Sequence, residues 1–135
     1  MYITMVIYIP VPVAELFDKI SILEIKLAEI TDNERLQHVR RELEILLKIV
    51  EEHGLIDFMS NQLYTELKSV NKVLWQVCNS RRSFESAGQF DAEFIVQSRN
   101  EYKTNDRRAA IKAKINNHFD SDIVEVKSYS RLSHE

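Results

Sequence analysis

The chain has 135 residues, 44% of them apolar, with two Gly, two Pro, one Cys and a formal net charge of -3. That length fits one domain, and so few Gly and Pro argue against a turn-rich all-β fold and for long helices with short connections. The acidic balance excludes a general attraction to nucleic acid or to an anionic membrane, and a single Cys78 with four scattered His offers neither a disulfide nor zinc-ligand spacing. Cysteine usage of this kind suits a reducing, cytoplasmic setting.

Tyr2 to Val11 is rich in β-branched and aromatic residues and ends at Pro10 and Pro12, so residues 1–12 read as an N-terminal strand. The segment is apolar but lacks a basic flank and is too short to span a bilayer, so no membrane anchor is expected. From Val13 the period changes to that of helices, which fill residues 13–119. Leu16, Ile20, Leu23, Leu27 and Ile30 form the seam of the first. Phe17, Ile22 and Ile25 lie off that seam, which implies neighbours on more than one side. Thr31 with Glu34 three residues on matches a capping box and opens a second helix. Its inward residues are Leu36, Val39, Leu43, Leu46 and Val50, and Gly54 is the expected left-handed stop. The first two helices thus make an antiparallel hairpin.

Leu55 to Met59 is an apolar connection. A third helix carries Leu63, Leu67, Val70, Leu74 and Val77, and Arg81 to Gln89 reads as a loop. Asp91 is the expected N-cap of a fourth helix. Thr104-Asn105-Asp106 prefer caps to helix interiors, so they are a possible break in it, and a helix start at Asn105 would add donors for an anion. Residues 122–129, DIVEVKSY, alternate like a strand that could pair with the first. The expected fold class is mainly α: a four-helix bundle-like single domain with a small terminal β-ribbon. Stripes on three helices exceed the needs of one small core, so a homodimer is expected.

The fourth helix raises the question of function. Phe94, Ile95, Tyr102, Ala109, Ala113 and Phe119 share one arc, and Ser98, Asn105, Lys112 and Asn116 fall inside it. A buried amide without a partner costs roughly 1–3 kcal/mol and an unpaired ammonium far more. Either another element supplies partners or the row lines a cleft. Asn105, Arg108, Lys112 and Asn116 could form a basic, amide-lined pocket for an anionic small molecule, with Arg giving a bidentate grip, Lys a point charge and Asn orientation. The other reading is a capping turn with solvated arginines. On the first helix, Asp18, Lys19 and Glu24 are either flanking charges over apolar surface or, for Asp18 or Glu24, partners of Lys112 or Arg108. Asn71 and Trp75 share a face of the third helix, where Trp75 is core or a stacking platform. Glu125, Lys127 and Tyr129 alternate to one face of an edge strand or of a site. No glycine-rich loop, HExxH or CxxC is present, no metal set is expected, and the sequence names neither a catalytic residue nor a cofactor.

Taken together, ELFDKISILEIKL (Glu15 to Leu27), VRRELE (Val39 to Glu44), VNKVLW (Val70 to Trp75), FDAEFI, YKTNDRRAAIKAKIN (Tyr102 to Asn116) and VEVKSY resemble a helical domain family of unknown function. The resemblance runs from about Ile7 to Tyr129. It implies occurrence in bacteria and large viruses, with some members beside glycosyltransferase or surface-polysaccharide genes, and it implies no activity. The family pattern carries acidic residues after the tryptophan, where this chain has Gln76-Val77-Cys78-Asn79.

Overall fold

The computed structural model describes residues 4–128 and consists of four α-helices and one 3₁₀ helix. They are α1 (Val13–Glu29), α2 (Asn33–Glu52), the 3₁₀ helix (Ile56–Ser60), α3 (Gln62–Ala87) and α4 (Ala92–His118). No strand occurs among the described residues. Residues 4–12 and 124–128 run without regular structure, so the expected β-ribbon is absent there; its remaining parts, at Tyr2, Ile3 and Tyr129, lie outside the described residues. β-Propensity records fit to a pleated, half-buried surface, and no sheet is present to supply one.

Two helix boundaries differ from the sequence expectation for local reasons, and the continuity of the fourth helix, which the sequence left open, is answered. Asp32, not Thr31, caps α2: its Oδ1 accepts from the Glu34 N–H at 2.9 Å and the Arg35 N–H at 3.4 Å. α3 does not stop at Arg81. The stripe Leu67, Val70, Leu74, Val77 continues through half-buried Arg81 and Phe84 at the same spacing, and Gly88 ends it at a φ of 65°. α4 is continuous through Thr104-Asn105-Asp106, with Thr104 turned inward and buried. No helix N-terminus therefore exists at Asn105. The stop at Gly54 is as expected: its φ is 66°, and Leu55 N–H reaches back to Val50 C=O at 2.9 Å.

α1 is the central element, packing against α2, α3 and α4. Phe17 and Ile25, both off the simple seam, are buried on it along with Ala14, Ile20 and Leu23. The main core gathers Phe17, Val50, Phe58, Tyr64, Leu67 and Ile115. Phe17 stacks near-parallel on Phe119 at 6.0 Å and lies 4.7 Å from Phe58. α3 and α4 run antiparallel. At about 1.5 Å per residue they outrun the 17-residue α1 by more than 10 Å, so their far ends form a two-helix extension. Arg81 holds that extension together by pairing with Glu101 and lying 5.7 Å over the Phe94 ring.

The inward face of α4 is rotated from the expected arc. Ile95 is 57% exposed and Tyr102 and Ala113 also face solvent, whereas Glu101, Thr104, Arg108, Ile111 and Ile115 step along the interface. The charged groups meet partners on α1 and α3, Arg108 at Asp18 and Glu101 at Arg81, so charge at those positions is tolerated.

Candidate functional site

Asp18 is the focus. It lies on the buried face of α1, one residue beyond Phe17, and is 1% exposed. Asn71 Nδ2 of α3 donates to Asp18 Oδ1 at 2.8 Å and to Ser21 Oγ at 2.8 Å. The Ser21 hydroxyl donates to the Asp18 carbonyl at 2.8 Å. From α4, Arg108 grips the carboxylate with two nitrogens: Nε donates to Oδ1 at 3.0 Å, and Nη2 donates to Oδ2. This two-point geometry is one that Lys could not supply.

One turn along α4, Lys112 Nζ donates to Glu15 Oε2 at 2.8 Å and to Glu125 Oε2 at 3.2 Å, and lies 3.6 Å from Asp18 Oδ2. Three carboxylates thus surround two cations, and Glu125 is in turn paired with Lys127. The ammonium inside the expected apolar arc is tolerated because two neighbouring segments bring carboxylates to it.

Protonation follows from this packing. Burial alone would push the Asp18 carboxyl up, but hydrogen bonds from Arg108 and Asn71 and the charges of Arg108 and Lys112 outweigh it, and the group titrates below the usual carboxylate range. Burial would likewise pull Lys112 and Arg108 down, yet their carboxylate partners hold both above their ordinary values. Glu125 is lowered, chiefly by Lys127 and then by Lys112. Asp18 is therefore a fixed anion with its oxygens engaged, which suits a structural counter-ion and not a general acid or base.

Asn116 plays a separate part. Pro12 precedes α1 and offers no capping side chain, so the first N–H groups of α1 need remote acceptors. Asn116 Oδ1 accepts from the Ala14 N–H at 2.8 Å, and Ser121 Oγ accepts from the Val13 N–H at 3.1 Å. α4 and the turn after it thus cap α1 in place of its own N-cap. Asn116→Ala would leave the buried Ala14 N–H unpaired, for an expected loss of about 1–3 kcal/mol, while Asn116→Asp, which keeps the acceptor, should lose less. Chemical denaturation of the two variants checks this.

Beside the network lies a groove of about 370 Å³ between α1, α3 and α4. Ile22, Ile25 and Leu74 give it an apolar lining, with Trp75 among them half-buried. Asn79, Arg82, Glu101, Asn105 and Arg108 add polar groups. Arg108 bridges network and groove: Asp18 holds Nε and Nη2, while Nη1 donates to Asn105 Oδ1 at 3.4 Å. Arg82 is exposed and pairs with no described carboxylate, whereas Glu101 is committed to Arg81.

Of the residues singled out from sequence, Asp18, Arg108 and Lys112 meet in one network, Asn105 sits at the exposed rim of the groove, and Asn116 caps α1. Lys19 and Glu24 are elsewhere. Lys19 forms an exposed pair with Glu42 of α2 at 3.9 Å. Glu24 accepts from the Tyr64 hydroxyl and from Lys68 Nζ at 3.3 Å, and burial and that carboxylate push the Tyr64 phenol well up. Sequence reasoning missed Glu15 as a partner of Lys112, and it missed Arg82 because Arg81 to Gln89 was read as a loop. Extending the stripe of Leu74 and Val77 to Arg81 and Phe84 would have kept Arg82 on the helix, two turns beyond Trp75.

Among the described residues no cluster of His, Cys, Asp and Glu has metal-binding geometry, and no helix is long and apolar enough to cross a membrane. No curated protein and no solved structure matches the chain. A model of a family of unknown function, DUF6165, matches residues 7–133, which is nearly the whole sequence. The chain belongs to that family.

Proposed function

We propose that the groove between α1, α3 and α4 binds an anionic small molecule built on a sugar or nucleotide ring, in a cytoplasmic setting. The observation that carries this reading is Arg108. Its Nε–Nη2 edge is locked onto buried Asp18, which fixes the guanidinium while Nη1 is directed to the rim at Asn105. An arginine already ordered loses little entropy on gripping a phosphate or carboxylate. Arg82 offers a second cation, Trp75 a face for a sugar or base, and Asn79 and Asn105 offer amides for hydroxyls. A volume of about 370 Å³ suits a monosaccharide or nucleoside rather than a macromolecule. The glycosyltransferase and polysaccharide genes implied by the resemblance agree with that class by analogy alone. Compared with the sequence reading, the site moves from Lys112 and Asn116 toward Trp75 and Arg82.

A thermal-shift panel of nucleotides, sugar nucleotides, phosphorylated sugars and dicarboxylates tests it. A ligand at 100 times its dissociation constant adds about 2.7 kcal/mol, enough to raise the Tm by several degrees. Arg82→Ala should cut the shift by about half or more without lowering the Tm of the free protein, since Arg82 takes no part in the core. A panel without hits, or hits indifferent to Arg82→Ala, counts against the groove.

One observation favours a second reading, a structural or adaptor protein without catalysis. Lys112 and Arg108 are already matched by Asp18, Glu15 and Glu125, so the network is complete as an internal clamp that fixes helix register. That reading leaves Trp75 and Arg82 without a role.

A further inference from the structure

Residues 4–12 are the most exposed apolar stretch of the described chain. Met5, Ile7, Tyr8 and Ile9 are each 69–82% exposed, and Val6 and Val11 also reach the surface. From Thr4 to Val11 no backbone N–H or C=O has a hydrogen-bond partner among the described residues; the Pro12 carbonyl, accepting from Glu15 N–H at 3.0 Å, is the first that does. The segment borders a depression of about 650 Å³ over α2 and the 3₁₀ helix, where Tyr8 joins Ile45, Ile49 and Met59 and the exposed Leu47 and Ile56. A β-branched segment with free ladder groups is a template for strand pairing, and residues 122–128 of the same chain do not provide the partner.

We infer that the partner is a second copy of the chain: residues 5–9 of two copies pair antiparallel about a two-fold axis, with Ile7 opposite its own copy in a hydrogen-bonded pair, and the ribbon packs over the α2 and 3₁₀ faces. Self-pairing of one segment meets the requirement of an isologous interface, which needs only a single self-complementary surface. Area suits a reversible interface. Successive side chains of a strand face opposite ways, so Val6 and Tyr8 with Leu47 and Ile56 close against the helices, on the order of 400 Å² per copy, in the range of weak, reversible interfaces. Rim charges agree as well. Arg41 and Lys48 alternate with Glu44, Glu51 and Glu52 along the depression, a mixture that can cross-pair around a two-fold and that repels an anionic lipid surface. Pro10 and Pro12, lacking N–H donors, end the ladder before α1 begins.

Sedimentation of the full chain from about 1 to 100 µM, with amide hydrogen exchange at the same concentrations, tests this. A reversible dimer is expected, with protection of alternate amides, Ile7 and Ile9 among them, that rises with concentration. Ile7→Pro, which removes a ladder donor, and Ile7→Asp should each weaken dimerisation at least tenfold, and Ile7→Thr, which keeps both donor and β-branch, much less. The side chain is exposed, so dilute Ile7→Pro should melt like the dilute wild type; if it does not, the exchange experiment on the wild type decides. A chain still monomeric at 100 µM overturns the inference. So does a dimer indifferent to Ile7→Pro, or one with no added protection at Ile7 and Ile9.

Discussion

Asp18→Asn is expected to cost about 3 kcal/mol, lowering the Tm by roughly 10 °C. The change is nearly isosteric, so it removes charge without opening a cavity. It leaves Arg108 and Lys112, with side chains only 26% and 12% exposed, short of the carboxylate that both face. Breaking a buried pair by deleting one partner typically costs 3–5 kcal/mol; the lower end applies because Lys112 keeps Glu15 and Glu125. The pH dependence has a definite sign. Asp18 titrates below its unfolded value, so its contribution is present above about pH 4 and is lost as pH falls through the folded pKa. The stability gap between wild type and Asp18→Asn should therefore narrow under acid conditions. Lys112 titrates above its unfolded value, so its contribution is present below about pH 10 and fades above it, whereas Arg108, also raised, stays charged through that range. Urea denaturation of both proteins at pH 3 and pH 7 reads the acid limb. A gap that stays constant would mean that Asp18 is not the ionised anchor of the network.

Phe17→Ala is expected to cost about 3–5 kcal/mol. Phe17 is fully buried and contacts three rings contributed by three other segments: Phe58 of the 3₁₀ helix, Tyr64 of α3 and Phe119 beyond α4. A cavity there is bounded by several elements at once and cannot close by moving one side chain. Near-UV circular dichroism should weaken with the Tm, because the aromatic cluster loses its common contact. Asp18 is the next residue, so Phe17→Ala combined with Asp18→Asn should deviate from additivity. A loss below about 1 kcal/mol would show that the aromatic cluster does not hold the foot of the bundle.

These two adjacent residues also mark what the sequence could and could not reveal. The α1–α2 hairpin was legible, because apolar side chains at helical spacing face their own core and Gly54 stops α2 where a left-handed residue is required. α3 was legible only to Val77. Beyond it the interface passes to Arg81 and Phe84, and an arginine that pairs with Glu101 looks like surface when read alone. α4 was the least legible element. Its interface is built from Glu101, Thr104, Arg108 and Lys112, so the apolar pattern pointed to a rotated arc through Ile95 and Tyr102, which face solvent. Pairing of Asp18 with Arg108 and Lys112 was foreseen as one of two options, because an ammonium inside a packed face requires a carboxylate. Nothing in the spacing of α1 separated Asp18 from Glu24, which instead meets Tyr64 and Lys68. The strand-like ends were misread for a related reason: β-branched runs report surface seeking a partner, and the described chain supplies none.

The groove reading is tested most directly by the fluorescence of Trp75. It is the only tryptophan of the chain, so the signal comes from the groove alone. A titration with a sugar nucleotide such as a uridine diphosphate sugar, repeated with uridine monophosphate and with the free sugar, should give a saturable change for the wild type. It should weaken at least tenfold in Arg82→Ala, equivalent to about 1.4 kcal/mol. No saturable change with any of these ligands up to millimolar concentration, in a protein that melts cooperatively, would contradict a ligand site at Trp75 and leave the Asp18 network as an internal clamp.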